Sequence, residues 1–344
     1  MGAALIASVK EPSNTKPPGP LRVLIVGCGN IAGVFDQGRA TGALPFTHAG
    51  AYKCDGRFRL DACVEPDDKR RREFMAAWGI PSGYTTIDEL SGTGAQFDVI
   101  SICSPTQCHT HDLVMALRLK PRLIFCEKPV TASLAETDAF IAECHKANVL
   151  LAVNYTRRWD PDVGKLLSEM QAGQWGNLRS VVGYYNKGIL NNGSHMLDLL
   201  HLLVGHMDIV KVGEPVYDYF PNDPTVPVWL RGPQGLPVHF ICGHAEDYAI
   251  FELQLVFSLG VLCMEEGGMY WRERGVTDSE IFTGYRVLND GIQRAGKYPV
   301  AMQHAADNIY RAITRSDPLA STGESALVTQ RVCERIRQQV SALQ

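Results

Sequence analysis

The stretch L-R-V-L-I-V-G-C-G-N-I-A at residues 21–32 decides the fold of this chain. Its first half, 21–26, is a short and mostly apolar run with two valines and one isoleucine, which is typical of a buried parallel strand. Gly27, Gly29 and Ala32 follow with the spacing G-x-G-x-x-[G/A], which indicates a dinucleotide-binding turn when a strand precedes it and a helix follows. The first glycine permits the tight turn, the second lets a pyrophosphate approach the backbone, and the small residue lets the helix pack close to the strand.

The turn itself supplies the first predicted ligand contacts. Backbone N–H groups at the start of a helix face outward without intrahelical partners, and they bind phosphate. We therefore expect a cofactor to contact the five residues of the turn, which are Gly27, Cys28, Gly29, Asn30 and Ile31.

Strand-like runs alternate with helical patterns from residue 21 to residue 153, which predicts a doubly wound parallel sheet of the Rossmann type. Ligands of such sheets bind beyond the carboxyl ends of the strands. Polar side chains and the glycine turn stand at these predicted ends: Gly27, Glu65, Ser104, Glu127, Lys128 and Asn154. This convergence predicts a binding site at that edge of the sheet.

Glu65 ends the second predicted strand, where an acidic residue accepts hydrogen bonds from the adenosine ribose hydroxyls. Its negative charge also disfavours a 2′-phosphate, so we expect NAD as the cofactor. NADP stays possible, because the basic run 69–72 follows closely. That run can pair with a phosphate, or it can form the solvated face of the next helix. A long loop at 36–47, with two glycines and a proline, separates the turn from the next helical pattern.

The periodicity changes after residue 154 and predicts a second domain of the α+β class with a largely antiparallel open sheet. We expect a disordered Pro-rich tail at 1–20, a dinucleotide-binding domain at 21–153 and a domain for substrate binding and oligomerisation at 154–344. Residues 193–205 form an amphipathic helical pattern within that second domain, with Ser194 as a cap.

Two residues are candidates for acid/base chemistry. Lys128 follows a buried strand among the predicted strand ends, where a positively charged nicotinamide would destabilise its ammonium. The alternative is a structural ion pair with Glu127. His195 lies one helical turn from Asp198, which can hold the imidazole in one tautomer, or His195 can have no chemical role. His201 on the same helix is expected to pack among leucines.

The composition excludes several function classes. The 344 residues have a net charge of −4, and 45% of them are hydrophobic, which is ordinary for a globular protein and predicts no binding to nucleic acid or to an anionic membrane. No apolar run reaches the length of a transmembrane helix. Ten cysteines are scattered without a C-x-x-C pair, which predicts reduced thiols in a cytoplasmic protein and no metal site.

Four motifs, in order and spacing, resemble the glucose–fructose oxidoreductase, inositol dehydrogenase and rhizopine-catabolism (Gfo/Idh/MocA) family. They are G-C-G-N-I-A at 27–32, E-K-P at 127–129, N-Y-T-R-R-W-D-P at 154–161 and G-S-H-M-L-D-L-L at 193–200. The resemblance implies that Lys128 and His195 are the catalytic pair and that the peptide before Pro129 is cis. It also implies that Arg158 and Asp160 line or brace the substrate pocket.

Further contacts are expected around these motifs. For the cofactor they involve Ser104, Pro105, Thr106, His109, Glu127 and Lys128, and for the substrate Tyr155, Arg158, Lys187, Asn191, Asn192 and His195. One position departs from the family pattern: many members have an aspartate four residues before the histidine, where this chain has Asn191. An asparagine takes no proton, although it can still bind a hydroxyl.

The resemblance implies an NAD(P)-dependent oxidoreductase that moves a hydride between nicotinamide C4 and the secondary alcohol or ketone of a sugar, inositol or sugar nucleotide. One alternative is a dinucleotide-binding regulator or sensor of the same fold that has lost catalysis. Another is a dihydrodiol or biliverdin-type reductase, which needs an apolar pocket. We also expect a homodimer or homotetramer, because the second sheet should have one face left uncovered.

Overall fold

Six parallel strands in the order β3-β2-β1-β4-β5-β6 form the first sheet. The structure is a computed structural model that describes residues 19–40 and 42–342. Residues 1–18 of the predicted tail lie outside the described residues. The elements of this part are β1 Leu21–Val26, α1 His48–Cys54, β2 Phe58–Val64, α2 Asp68–Trp78, β3 Ser82–Tyr84, β4 Val99–Ile102, α3 Thr106–Arg118, β5 Leu123–Cys126, α4 Leu134–Ala147 and β6 Leu150–Val153.

Strand β1 is buried on both faces, which explains its continuous apolar sequence. Val23 and Ile25 pack into one hydrophobic core with the side chains of α1 and α2. Leu24 and Val26 pack into a second core on the opposite face, with side chains of α3 and α4. Successive side chains of a strand point to opposite faces, so the four consecutive apolar residues 23–26 contribute side chains to both cores.

The helix expected directly after the glycine turn is reduced to a single 3₁₀ turn at Val34–Asp36, and the first regular helix begins only at His48. The prediction was wrong here because the loop 36–47 closes on itself. The Asp36 carboxylate accepts hydrogen bonds from the N–H groups of Phe46 and Thr47, both at 2.9 Å. The N–H of His48 then donates to the Ile31 carbonyl at 3.1 Å. The loop therefore interrupts the helix and returns the chain to Ile31, at the end of the glycine turn.

The second sheet has nine strands and is antiparallel except where β12 runs parallel to β7. Together with the first sheet it confirms the predicted α/β plus α+β fold class. A hairpin of β9 and β10 stands apart from it. The elements are α5 Pro161–Gln171, β7 Leu178–Tyr185, α6 Ser194–Leu203, β8 Asp208–Val212, β9 Val216–Phe220, β10 Asp223–Thr225, β11 Val228–Arg231, β12 Pro237–Cys242, β13 Phe251–Phe257, β14 Gly260–Glu265, β15 Tyr270–Asp278, β16 Arg286–Leu288 and β17 Ile292–Ala295.

The two C-terminal helices, α7 Ala301–Arg315 and α8 Gly323–Ser341, join the two sheets. Buried residues of α7, among them Met302 and Ile309, belong to the same core as β1 and α1. Helix α8 packs against both α4 and α6. The domain limits at 153 and 154 stay a prediction, since α7 follows the second sheet in sequence but packs with the first.

Two kinds of feature are absent from residues 19–40 and 42–342. No helix there combines the length and the apolarity needed to cross a bilayer. No group of three or more His, Cys, Asp or Glu side chains is arranged to hold a metal ion in the same residues. All ten cysteines are free thiols.

Candidate active site

The glycine turn has the shape that a dinucleotide needs. Gly27 has φ of +86°, and a Cβ there would overlap the backbone of Ser104 at the end of the neighbouring strand β4. A Cβ on Gly29 would meet nothing within 4 Å, so this residue leaves an open cradle. The residues of the turn therefore fit a pyrophosphate that approaches the backbone, as the spacing predicts.

Glu65 ties the turn to the start of α2. Its buried carboxylate accepts the N–H of Cys28 at 3.0 Å through Oε2 and the N–H of Asp67 at 3.1 Å through Oε1. The Arg70 guanidinium lies 3.5 Å from Oε1. A cavity of about 570 Å³ opens between the turn and α2, and it is lined by Cys28, Gly29, Asn30, Val34, Gln37, Asp67, Lys69, Arg70, Glu73 and Phe74.

The loop after β4 carries the remaining predicted cofactor residues. Pro105 precedes α3, and Thr106 begins it and lines a second cavity. The Ser104 hydroxyl donates to Asp112 at 2.6 Å. The buried His109 ring lies 2.8 Å from the Ser104 carbonyl and 3.0 Å from the Pro129 carbonyl. His109 therefore braces two loops of the site, and its contact with a cofactor stays a prediction.

Glu127 is the centre of a buried polar network that ends at Lys128. Its Oε1 accepts a hydrogen bond from the Asn154 amide at 2.6 Å and lies 3.0 Å from Nε2 of His48. Its Oε2 accepts the N–H of Lys128 at 3.3 Å. Burial alone would raise the pKa of Glu127, but the bonds from His48 and Asn154 and the charge of Lys128 hold it below its usual value. Sequence reasoning missed His48, because its partners come from distant strands.

Lys128 and Asn191 lie in contact, although nothing in the sequence around either residue predicts this contact. The Lys128 ammonium donates to the main-chain carbonyl of Asn191 at 2.8 Å and to its side-chain Oδ1 at 3.1 Å. The peptide between Lys128 and Pro129 is cis, as the resemblance implies. Burial lowers the pKa of Lys128, and the negative charges of Glu127 and Asp223 oppose this only in part. The amine is therefore easier to deprotonate than a lysine in water.

A π-helical turn at Gly188–Gly193 carries Asn191 and leads directly into α6. The expected cap of α6 is consequently wrong: Ser194 lies inside the helix, and its hydroxyl donates back to the Leu190 carbonyl at 2.6 Å. Because the preceding turn is itself helical, the first N–H groups of α6 need no side-chain cap. Asn192, predicted to contact substrate, lies half-buried in this turn.

His195 occupies the first turn of α6, half-buried and edge-on to the Tyr155 ring at 5.5 Å between centroids. Burial lowers the pKa of His195 well below its usual value, and the nearby charges of Lys128 and Arg157 lower it further. The imidazole is therefore neutral in the physiological range. Tyr155 is buried.

Asp198 does not orient His195, contrary to the expectation. Its Oδ2 accepts a hydrogen bond from Nε of Arg158 at 2.7 Å, and its Oδ1 accepts one from the Thr329 hydroxyl at 3.3 Å. A buried carboxylate binds a guanidinium more strongly than a neutral imidazole, which explains why Asp198 pairs with Arg158 and not with His195. Helical spacing places Asp198 near His195, but it does not reveal the competing arginine. His201 is half-buried, with Nδ1 3.2 Å from the Gly205 carbonyl.

The other residues expected to contact substrate have structural partners. Arg158 is bound to Asp198 as described, and it also reaches the Ala320 carbonyl at 3.4 Å. The Lys187 ammonium lies over the Tyr219 ring, 5.2 Å from its centroid. Asp160 caps α5, and burial raises its pKa to about 6. Their contacts with a substrate stay predictions.

A cavity of about 650 Å³ opens next to Lys128 between the two sheets. Its lining combines the carboxyl edge of the first sheet with the hairpin β9–β10 and with α8. The lining residues are Thr106, Gln107, Lys128, Pro129, Thr131, Ala132, Leu190, Asn191, Phe220, Pro221, Asn222, Asp223, Gln330, Glu334 and Arg337. Sequence reasoning missed Asp223, Glu334 and Arg337, because no motif surrounds them.

Comparison with known proteins adds to this geometry. Residues 21–155 match the model of the Gfo/Idh/MocA oxidoreductases, described as an oxidoreductase family with an NAD-binding Rossmann fold. This part of the chain, which contains the first sheet, is therefore similar to that family. The match supports the resemblance drawn from the motifs at 27–32 and 127–129, and it confirms a nicotinamide dinucleotide as the cofactor class.

Individual relatives match only in part. Myo-inositol 2-dehydrogenase of Thermotoga maritima is 29% identical over 156 residues, which cover 45% of this chain and 42% of the relative. Trans-1,2-dihydrobenzene-1,2-diol dehydrogenase of Oryctolagus cuniculus is 26% identical over 199 residues, which cover 53% of this chain and 60% of the relative. The chain thus spans about half the length of these curated relatives.

Among solved structures, a 3-ketoreductase variant from Actinomadura kijaniata in complex with TDP-benzene and NADP superposes with a TM-score of 0.74. The superposition covers 93% of this chain and 98% of that one, at 15% sequence identity. The shared architecture therefore extends over both sheets, and the low identity limits the likeness to the fold.

Proposed function

We propose that this protein is an NAD(P)-dependent dehydrogenase or reductase that acts on the secondary alcohol or ketone of a sugar, inositol or sugar nucleotide. The observation that carries the proposal is the placement of the Lys128 amine at the carboxyl edge of the first sheet, in the wall of the 650 Å³ cavity and within 3.1 Å of two oxygens of Asn191. When bound, the nicotinamide supplies the hydride acceptor or donor.

Lys128 handles the proton in this proposal. A neutral amine has two hydrogens and one lone pair. The carbonyl oxygen and Oδ1 of Asn191 accept the two hydrogens, so the lone pair points away from Asn191 and accepts the proton of the substrate hydroxyl. In the reverse direction the ammonium returns this proton to the ketone oxygen. The lowered pKa of Lys128 supports both roles near neutral pH.

His195 orients the same substrate oxygen. Its imidazole is kept neutral by burial and by the charges of Lys128 and Arg157. Its only described ring contact is the edge of Tyr155, so a ring nitrogen stays available for a substrate hydroxyl. A fixed neutral ring restricts the reacting oxygen to one position, which contributes to the rate through orientation.

Glu65 supports NAD as the preferred cofactor. Its carboxylate lies at the end of β2 beside the glycine turn, and a 2′-phosphate there would meet a buried negative charge. Arg70 lies 3.5 Å from this carboxylate, so its charge is engaged. NADP remains the alternative that a binding measurement decides.

An aromatic dihydrodiol is a second candidate substrate. The cavity beside Lys128 includes five apolar side chains, which are Pro129, Ala132, Leu190, Phe220 and Pro221. The charged side chains of Arg158 and Lys187 do not belong to this lining. One of the relatives is named as a dehydrogenase of a dihydrodiol.

A homodimer or homotetramer also stays part of the proposal. Trp229 on β11 and Ile241 on β12 are 47% and 43% exposed on the second sheet. Exposed apolar side chains of this size support a subunit contact. Sedimentation of the purified protein measures the assembly. A cytoplasmic location, expected from the reduced cysteines, is likewise proposed.

The test of the proposed function starts from bound NADH. Its fluorescence reports binding, and a panel of sugars, inositols, nucleotide sugars and dihydrodiols with NAD⁺ reports turnover. We expect Lys128→Met to bind NADH as the native protein does and to lose turnover by at least ~10²-fold, because the proton acceptor is gone. Lys146→Met is the matched control, since Lys146 is exposed on α4 and pairs with Glu143.

Two results would contradict the proposal. Undiminished turnover in Lys128→Met would remove the lysine from the chemistry. NADH binding without turnover of any alcohol in the native protein would favour the non-catalytic sensor instead.

A further inference from the structure

Asp223 holds the turn that carries Asn191. Its two carboxylate oxygens accept the N–H groups of Leu190 and Asn191, each at 2.9 Å. Asp223 begins β10, is only 9% exposed and lies in the wall of the cavity that contains Lys128. The same residue therefore contacts the turn and faces the substrate space.

Gly188 makes this approach possible. A Cβ at Gly188 would overlap the Asp223 carboxylate, and the φ of +86° also favours glycine there. The Gly188 N–H donates to the Thr225 hydroxyl at 2.8 Å, on the same short strand as Asp223. The hairpin β9–β10 thus acts as a rigid support for the turn.

Charged groups surround Lys128 from every element that packs against it. Glu127 precedes it on the same loop, Asp223 lies on β10, and Cys333 on α8 completes the groups that favour its charged form. Arg157 opposes them, and the neutral His195 on α6 faces the same space. Burial raises the pKa of Asp223, while the hydrogen bonds from the Leu190 and Asn191 N–H groups and the charges of Arg337 and Lys128 oppose this only in part. Glu127 is engaged by His48 and Asn154. Two carboxylates remain in the cavity wall: Glu334 on α8 accepts a hydrogen bond from Arg337, and Asp223 accepts the N–H groups of the turn that carries Asn191.

We propose that Asp223 is a positioning residue for proton transfer: by accepting the N–H groups of Leu190 and Asn191 it holds the Asn191 oxygens on the Lys128 amine, and it places its own carboxylate in the cavity wall beside that amine. This inference rests on the proposed function for its catalytic meaning. The effect of Asp223 on the titration of the Lys128 amine can be measured without any turnover.

The test measures the titration of the Lys128 amine directly. Competitive acetylation over a series of pH values, followed by peptide mass spectrometry, gives the midpoint of its reactivity in the full-length protein. The Asp223 charge stabilises the ammonium, so Asp223→Asn should shift the midpoint down by about 1 pH unit. The rising limb of kcat/KM against pH for alcohol oxidation should shift down equally, and kcat should fall.

Asp218→Asn is the matched control. The buried Asp218 supports the same turn by accepting the Lys187 N–H at 3.1 Å, and it also accepts the Thr225 hydroxyl at 2.7 Å. Unlike Asp223, it does not line the cavity beside Lys128. A structural loss alone should therefore lower the melting temperature in both variants, while only Asp223→Asn moves the Lys128 midpoint. Asp223→Ser replaces Asp223→Asn if the latter does not fold.

The results of these measurements distinguish the inference both from the proposed function and from a purely structural role of Asp223. A lower Lys128 midpoint in the Asp223 variant, with an unchanged midpoint in Asp218→Asn, supports the inference even if no alcohol is turned over, in which case only the proposed function fails. An unchanged midpoint in the folded Asp223 variant overturns it. Failure of both Asp223 variants to fold, beside a folded Asp218→Asn, would assign Asp223 a purely structural role and overturn it as well.

Discussion

Lys128 shows how single residues acquire their chemistry from neighbours that are remote in sequence. Its motif, its strand and the following proline identify it from the sequence alone. Its hydrogen-bond acceptors on Asn191 and the carboxylate of Asp223 come from two other parts of the chain. No spacing rule connects these segments, so Asp223 could not be predicted. The lowered pKa of Lys128 depends on this assembled environment.

Glu65 gives the residue-scale prediction for the cofactor. Glu65→Gln removes the charge that receives the ribose hydroxyls, while the amide oxygen still accepts one N–H of the turn. Because a hydrogen bond to a charged group contributes about 1.5–3 kcal/mol, we expect the Kd of NADH to rise about tenfold or more. The Kd of NADPH should rise less than that of NADH. Titration of both dinucleotides by fluorescence measures the ratio.

Arg70→Gln is the companion of that variant. It should leave NADH binding nearly unchanged and weaken NADPH binding, since the Arg70 guanidinium is the cation paired with the Glu65 carboxylate, at 3.5 Å. An NADH to NADPH ratio that Glu65→Gln leaves untouched would contradict the role assigned to Glu65.

At the scale of elements, the sequence predicted those whose signal is local. Strand β1 was predicted at its observed bounds because a short and mostly apolar run before a glycine turn is typical of a buried parallel strand. The helix after the glycine turn was predicted wrongly, because hydrogen bonds from the N–H groups of Phe46 and Thr47 to the Asp36 carboxylate close the loop, and no periodicity encodes them. The start of α6 was misjudged because the preceding π-helical turn depends on the distant hairpin β9–β10.

The start of α5 provides the prediction at this scale. Asp160 caps the helix through Oδ1, its Oδ2 has no hydrogen-bond partner, and burial raises its pKa to about 6. The folded-state pKa thus lies above the ordinary value of 3.8, so ionisation costs stability as pH rises through about 6. Asp160→Asn keeps a capping side chain and removes this cost.

We expect Asp160→Asn to gain about 2–3 kcal/mol in the free energy of unfolding at pH 7, and this gain should vanish between pH 6 and pH 4. Urea denaturation at a series of pH values measures the difference. Asp67→Asn is the control, since Asp67 is an exposed cap on α2 and should show no such gain. A difference that does not change with pH would contradict the assignment.

At the scale of the whole molecule, the two C-terminal helices pack against elements of both sheets and join them into a single body. Helix α7 fills the core of the first sheet after the chain has completed the second. The Asn308 side chain on α7 accepts the indole N–H of Trp159 at 2.9 Å and donates to the Pro318 carbonyl at 2.9 Å. The sequence does not indicate locally which sheet the apolar face of this helix covers, because both sheets offer an apolar surface.

This packing predicts cooperative unfolding. Ile309 on α7 is fully buried, so Ile309→Ala should cost about 2–4 kcal/mol and lower the single denaturation midpoint reported by fluorescence and by circular dichroism alike. Val328→Ala on α8 is the control, because Val328 is 42% exposed and should change stability by less than about 0.5 kcal/mol. Two separate transitions would contradict the single body.

The most direct test of the central claim follows the hydride itself. The native protein is incubated with NAD⁺ and the active alcohol of the panel, deuterated at its carbinol carbon, and the NADH is analysed by mass spectrometry. We predict deuterium at nicotinamide C4 with the native protein and Lys146→Met, and at least ~10²-fold less labelled NADH with Lys128→Met at saturating cofactor. Equal label with Lys128→Met, or no label from any alcohol with the native protein, would contradict the account.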